Sequence, residues 1–186
     1  MFTDTVSLES LLEAWDKFKR GKTRKVDVQK FELHLGDNLF QLHEALMNLS
    51  YQHGPYEHFY VRDPKVRLVH KTSIRNRIVN HTVFRTLNEI FEPLFIYDSY
   101  SCRKRKGSHR AVVALKEYAN YTLRTYGKCF VLKCDIKKFF HSINHDILLR
   151  IIEKNISDPQ MMWLIKSLVS SFSSSELNRE RERERE

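Results

Sequence analysis

A chain of 186 residues has room for one domain or part of a larger one, and 41% apolar with 12% aromatic residues supports a buried core rather than disorder. Lysine and arginine outnumber aspartate and glutamate by 32 to 23, a net charge of +9 that attracts polyanions, nucleic acid first among them. No run approaches the eighteen or so apolar residues of a membrane span, no basic leader opens the chain, and three cysteines make no disulfide framework, so the cytoplasm is the expected location.

Leu8, Leu11, Leu12, Trp15 and Phe18 recur at helical spacing and predict a first amphipathic helix. A basic link over 21–25 leads to a second helix over 26–35 and a third carrying Leu39, Leu42, Leu46 and Leu49, punctuated by Gly36. Residues 56–71 hold aromatic and β-branched residues on either side of Asp63-Pro64, the pattern of two strands and a turn. Helix returns over 73–91, with Ile74, Ile78, Leu87 and Ile90 as its inner face and Pro93 ending it. A basic loop over 99–108 precedes a helix over 109–125 that Gly127 stops. An apolar strand is expected over 129–135, then helices over 144–154 and 159–171. From 173 to 186 the chain ends in SSSELN and an Arg-Glu repeat, which has no apolar face and reads as a solvated, aberrant or truncated tail.

Asp135 closes the strand expected at Phe130, Val131, Leu132 and Cys134. A carboxylate leaving a buried strand needs a partner. Mg²⁺ is one, since it takes one or two carboxylates plus substrate phosphates, and Ile136 then offers its main-chain carbonyl. An Asp in this place also serves to cap the next helix. Phe139 and Phe140 suit a core, and Ser142 and His145 suit a helix start. His141 and His145 with Cys134 match no common zinc spacing, and there is no Gly-rich phosphate loop.

DIKKFFHSINHDIL, residues 135–148, resembles the first catalytic motif of the reverse transcriptases, an Asp at the end of a palm strand with an aromatic five residues on. That resemblance makes Phe140 the steric gate beneath the sugar of an incoming nucleotide, suited to deoxynucleotides. RDPKVRLVH, residues 62–70, is similar to the fingers hairpin of bacterial reverse transcriptases, which makes Lys65 and Arg67 the pair that grips the triphosphate. Fixed cations stabilise the charge of a leaving pyrophosphate, and residues two apart on a strand share a face. Charges guarding an edge strand look the same. The stretch 73–95 is similar to the helix after that hairpin, with Asn76-Arg77 where the family has Asp-Arg. The stretch 98–112 resembles the next block, a basic loop whose Arg103, Lys104, Arg105, Lys106 and Arg110 are placed to track a template or primer backbone.

The resemblance implies an α+β fold: the fingers and partial palm of a right-hand polymerase over 1–172, mostly helical, with a short antiparallel hairpin and a palm strand. It implies RNA-directed DNA synthesis, in which a primer 3′-OH attacks the α-phosphate of a deoxynucleotide. Two Mg²⁺ ions serve a complete enzyme. The implied partners are an RNA template, a DNA or RNA primer, deoxynucleotides and a retroelement accessory protein. Group II intron, retron and diversity-generating retroelement enzymes share these blocks, and the turn from Tyr100 to Lys104 leans towards the last kind. The sequence holds no Asp-Asp pair, so the second catalytic motif and the thumb are missing and the chain alone is expected to be inactive. A non-catalytic basic RNA- or DNA-binding module on the same fold is the alternative; an RNA-dependent RNA polymerase fragment fits the bulk of Phe140 less well.

Overall fold

The computed structural model describes residues 1–137 and 139–172; the expected solvated tail over 173–186 and the side chain of His141 lie outside the described residues. In chain order the elements are α1 (Phe2–Thr5), α2 (Leu8–Lys19), α3 (Val26–Leu33) and α4 (Leu35–Met47). The strands β1 (Tyr56–Val61) and β2 (Arg67–Thr72) come next, then α5 (Ile74–Phe91), which runs into a 3-10 turn over Glu92–Leu94. They are followed by α6 (Ser108–Tyr126), α7 (Phe139–Ser142), α8 (His145–Glu153) and α9 (Pro159–Ser170). Among the described residues the fold is thus α+β, mostly helical with one two-stranded antiparallel sheet. No helix among them is long and apolar enough to cross a membrane.

The chain divides into two compact units, Met1–Leu87 with the chain from Ile143 onward, and Asn88–Ser142. In the first, the predicted apolar stripes meet. Leu11, Trp15 and Phe18 of α2, Leu42 and Leu46 of α4, Ile78 and Val79 of α5, and Met161 and Leu164 of α9 are all buried. Each such side chain contributes roughly 1.5–3 kcal/mol by leaving water. The Trp15 ring lies 5.1 Å from that of Phe31 on α3. Inner-face positions Leu87 and Ile90 of α5 are only half-buried, whereas Thr82 and Val83 fill the stripe beyond Ile78. Gly36 falls inside the first turn of α4, where the backbone has fewer hydrogen bonds to lose.

Asp158 closes this unit. One carboxylate oxygen caps α9, accepting from Gln160 N–H at 3.0 Å and Met161 N–H at 3.1 Å; the other accepts from Phe2 N–H at 2.9 Å. Its partial burial resists ionisation, yet the three N–H donors outweigh this and hold the carboxyl below its ordinary range.

The second unit has a different texture. Gly127 ends α6 as expected, in the left-handed conformation at φ 68°, its N–H donating to the Leu123 carbonyl at 2.9 Å. None of the side chains of α6 is buried, and Val112, Leu115, Tyr121 and Tyr126 stand exposed. The expected strand over 129–135 is not formed. Residues 128–136 carry no ladder hydrogen bonds, and Phe130 and Leu132 are 90% and 88% exposed. A strand exists only through its neighbours' hydrogen bonds, and the one sheet among the described residues pairs β1 with β2.

Candidate nucleotide and nucleic-acid site

The hairpin is firm at its base and open at its tip. Register runs from Tyr56 opposite Thr72 to Val61 opposite Arg67, leaving 62–66 as the turn. At the base, Lys71 Nζ donates to Asp27 Oδ2 of α3 at 3.0 Å and lies 3.3 Å from Glu57. The hydrogen bond from Lys71 holds the Asp27 carboxyl below its ordinary range despite some desolvation, and those from Asp27 and Glu57 raise Lys71. Tyr56 Oη and Ser171 Oγ, 3.0 Å apart, tie the same end to the foot of α9. At the tip, Lys65 lies in the turn and Arg67 opens β2, both exposed and without a hydrogen-bond or ion-pair partner among the described residues. The expectation that strand alternation alone puts the two on one face therefore does not apply, because Lys65 is not in the strand.

Behind the hairpin, Asn76 at the start of α5 is buried. Its Oδ1 accepts from Tyr51 Oη at 3.0 Å, and its Nδ2 lies 3.4 Å from the Gly54 carbonyl and 3.3 Å from His53 Nδ1. Arg75 adds a hydrogen bond to the Gln52 carbonyl at 3.3 Å and lies over the Tyr51 ring at 4.9 Å. An amide fits here because it both accepts from a phenol and donates to a carbonyl; a carboxylate only accepts. This hub, which fixes the approach to β1, is visible in the sequence only as the departure Asn76-Arg77.

In the second unit, the basic loop divides into braces and free cations. Arg103 is only 10% exposed, and its guanidinium is fully engaged. Nε donates to Glu92 Oε1 at 2.9 Å, Nη1 to the carbonyls of Ile96 at 2.9 Å and Ser99 at 3.1 Å, and Nη2 to the Glu92 carbonyl at 3.3 Å. Lys106 donates to the Tyr97 carbonyl and lies over the rings of Tyr97 and Tyr100, at 4.1 and 5.2 Å. Asp98 takes the hydroxyls of Tyr100 at 2.9 Å and Tyr118 at 3.0 Å, which ties the loop to α6. The bond to Asp98 pushes the Tyr100 phenol up to about 12 and raises Tyr118 as well, so both remain donors. Lys104, Arg105 and Arg110 are exposed and take no partner among the described residues.

Asp135, Ile136 and Phe140 lie in this second unit too, on the extended run and the short α7. Asp135 is exposed, with no hydrogen bond or ion pair among the described residues, so no burial cost attaches to its charge. Phe140 is 79% exposed, with its ring 5.3 Å from that of Phe139, and neither is a core residue. Asn144 rather than Ser142 caps α8, accepting from Ile147 N–H at 3.0 Å. Cys102, Cys129 and Cys134 are free thiols. No group of three or more His, Cys, Asp or Glu residues among the described ones is placed to hold a metal. One carboxylate and one neighbouring carbonyl fit a hard cation in part, as Mg²⁺ keeps several waters and takes its remaining oxygens from substrate phosphates.

Two curated proteins are similar to the chain. Protein YkfC of Escherichia coli K12 is 25% identical over 142 residues, 75% of this chain and 37% of that protein. An uncharacterized 91 kDa protein in a cob intron of Schizosaccharomyces pombe is 28% identical over 99 residues, 53% of this chain and 12% of that protein. The chain thus spans well under half the length of either relative. A family model described as reverse transcriptase (RNA-dependent DNA polymerase) matches residues 62–186, a span that opens at the hairpin turn and takes in Lys65, Arg67, the basic loop, Asp135 and Phe140. The chain belongs to the reverse transcriptase family.

Proposed function

We propose that this chain supplies the nucleotide- and template-handling part of RNA-directed DNA synthesis, and that the 186 residues alone bind substrates without extending a primer. The observation that supports this most directly is the disposition of charge within the family match: Lys65, Arg67, Lys104, Arg105, Arg110 and Asp135 are all exposed. Surface cations that are not spent on internal bonds are free to meet phosphates, whereas Arg103 and Lys106 shape the loop that carries them.

In this reading Lys65 and Arg67, raised on the anchored hairpin, hold the triphosphate of a deoxynucleotide and stabilise the charge that develops on its leaving pyrophosphate. Lys104, Arg105 and Arg110 hold the backbone of an RNA template or of a DNA or RNA primer. Phe140 offers an open aromatic face to the sugar and crowds a 2′-OH. Asp135 and the Ile136 carbonyl would hold Mg²⁺, which when bound neutralises phosphate charge and orients the reacting oxygens. The two-metal reaction requires further carboxylates, and this sequence has no Asp-Asp pair to offer them.

Purified chain is incubated with an RNA template annealed to a DNA primer, deoxynucleotides and Mg²⁺, and both binding and elongation are followed. Binding that weakens steeply with salt, and no elongation, is expected. Robust elongation abolished by Asp135→Ala would overturn the inactivity of the chain alone. Failure to bind the hybrid at low salt would overturn the whole reading.

A further inference from the structure

The ladder puts Glu57 and Val61 of β1 with Arg67 and Lys71 of β2 on one face of the hairpin, and Tyr56 and His70 on the other. Each face is tied at its base to a different helix of the same compact unit. On the second face, Tyr56 Oη and Ser171 Oγ are 3.0 Å apart, and the Phe172 ring stands edge-on to Tyr56 and His70, at 5.6 and 5.3 Å. On the first face, Lys71 reaches Asp27 Oδ2 of α3 at 3.0 Å. The other oxygen of Asp27 accepts from Val28 N–H at 3.0 Å, in the first turn of α3, which orients the carboxylate towards the hairpin. A cleft of about 440 Å³ opens beside this bond, lined by Asp27, Lys30 and Phe31 of α3 and by Glu57 and Lys71 of the hairpin. The ion pair thus bridges open space rather than sealing a packed contact, and the hairpin has room to tilt when it is cut.

We propose that Asp27 is a positioning residue for nucleotide binding: through Lys71 it sets the tilt of the hairpin, and with it the place of Arg67. The inference rests on the reading of Lys65 and Arg67 as the grip on the triphosphate. Asp27 precedes residue 62, where the family match begins, so that match does not include it.

Geometry makes the effect large where the bond itself is weak. Arg67 shares a face with Lys71 and lies roughly 13 Å along the strand from it. A tilt of about 5° at the base carries Arg67 about 1 Å, a misplacement large enough to spoil a fitted contact. The partners are 33% and 39% exposed, so the bond adds little to overall stability. Loss of Asp27 is therefore felt in affinity before it is felt in unfolding. Glu57, 3.3 Å from Lys71, belongs to the hairpin itself and cannot replace the tie to α3.

Binding of dATP with Mg²⁺ to the full chain is measured by calorimetry, with thermal unfolding of the same samples. Arg67→Ala should weaken binding about tenfold. Asp27→Ala should weaken it about threefold to tenfold, with the thermal midpoint within about 2 °C of wild type. In the Arg67→Ala background Asp27→Ala should cost nothing further, since no guanidinium is left to place. Asp27→Glu, which keeps a carboxylate, should retain most of the affinity. Lys71→Met cuts the same tie from the hairpin side and keeps an apolar stem; it should match Asp27→Ala, and it decides alone if that variant fails to fold. If Arg67→Ala binds as wild type does, the nucleotide reading falls and takes this inference with it. If Arg67→Ala is weak while Asp27→Ala and Lys71→Met bind as wild type, or if their losses add in full to that of Arg67→Ala, the positioning role alone is overturned.

Discussion

The Tyr51 hydroxyl donates to Asn76 Oδ1 at 3.0 Å, joining the segment before β1 to the first turn of α5 inside the core. Burial pushes the Tyr51 phenol up to about 12, so it stays a donor at any ordinary pH. Tyr51→Phe should cost about 1 kcal/mol, the net worth of one hydrogen bond. Asn76→Ala should cost about 1–3 kcal/mol, because it also leaves a buried phenol without an acceptor. The double variant should cost less than the two combined, by about 1 kcal/mol. Urea midpoints of the three variants measure this coupling; strict additivity would show that the bond contributes nothing.

Asp158 gives the fold a defined response to acid. Its carboxyl is held below its unfolded value, so its contribution is present above about pH 4 and is lost as the pH falls through the lower, folded value. Asp158→Ala should cost about 1–2 kcal/mol at pH 7, the price of an N-cap together with the bond to Phe2 N–H. Asp158→Asn retains one cap acceptor and should cost less. The gap between wild type and Asp158→Asn should be narrower at pH 3 than at pH 7, as read from denaturant midpoints at the two pH values.

The helices and the hairpin were legible in the sequence because their signals are local. Helical spacing marks Leu11, Trp15 and Phe18, a turn residue marks Asp63-Pro64, and Gly127 and Pro93 end what they were expected to end. The segment from Cys129 to Asp135 was not legible in the same way. Its apolar run reports a preference for extended chain and burial, but a strand also needs a partner, and that is a non-local property. The division of the loop was equally hidden. Arg103 and Lys104 are adjacent and chemically alike, and only the fold shows that one is bonded to Glu92 and the other takes no partner among the described residues.

That division makes a prediction about nucleic acid. Replacing Lys104, Arg105 and Arg110 together by Ala should flatten the dependence of log K on log salt by about 0.7 for each contacted phosphate on single-stranded RNA. The thermal midpoint should barely move, since none of the three is bonded among the described residues. Arg103→Ala should do the reverse, lowering the stability of the loop by removing four hydrogen bonds while the salt slope changes little. Filter binding across a salt series, with thermal unfolding of the same samples, separates the two roles. A salt slope that falls as much for Arg103→Ala as for the free cations would show that Arg103 meets phosphate itself.

Exposure of the apolar run yields the opposite expectation from a buried strand. Phe130→Ser and Leu132→Ser should change stability by no more than about 0.5 kcal/mol, the range for surface positions away from special features. Trp15→Ala, by contrast, removes a fully buried ring and should cost about 3–5 kcal/mol. The serine variants should also raise solubility, because bulky apolar side chains in extended chain with unpaired backbone favour association. Phe140→Ala belongs with them: a ring 79% exposed contributes little to the fold, so its loss should be silent in unfolding. If Phe140 gates the sugar, the same variant should narrow the preference for a deoxynucleotide over its ribonucleotide, measured as two dissociation constants on the chain with Mg²⁺. A large loss of stability in Phe130→Ser or Leu132→Ser would show that the run is packed in solution. An unchanged nucleotide preference in Phe140→Ala would remove its ring from any part in choosing the sugar.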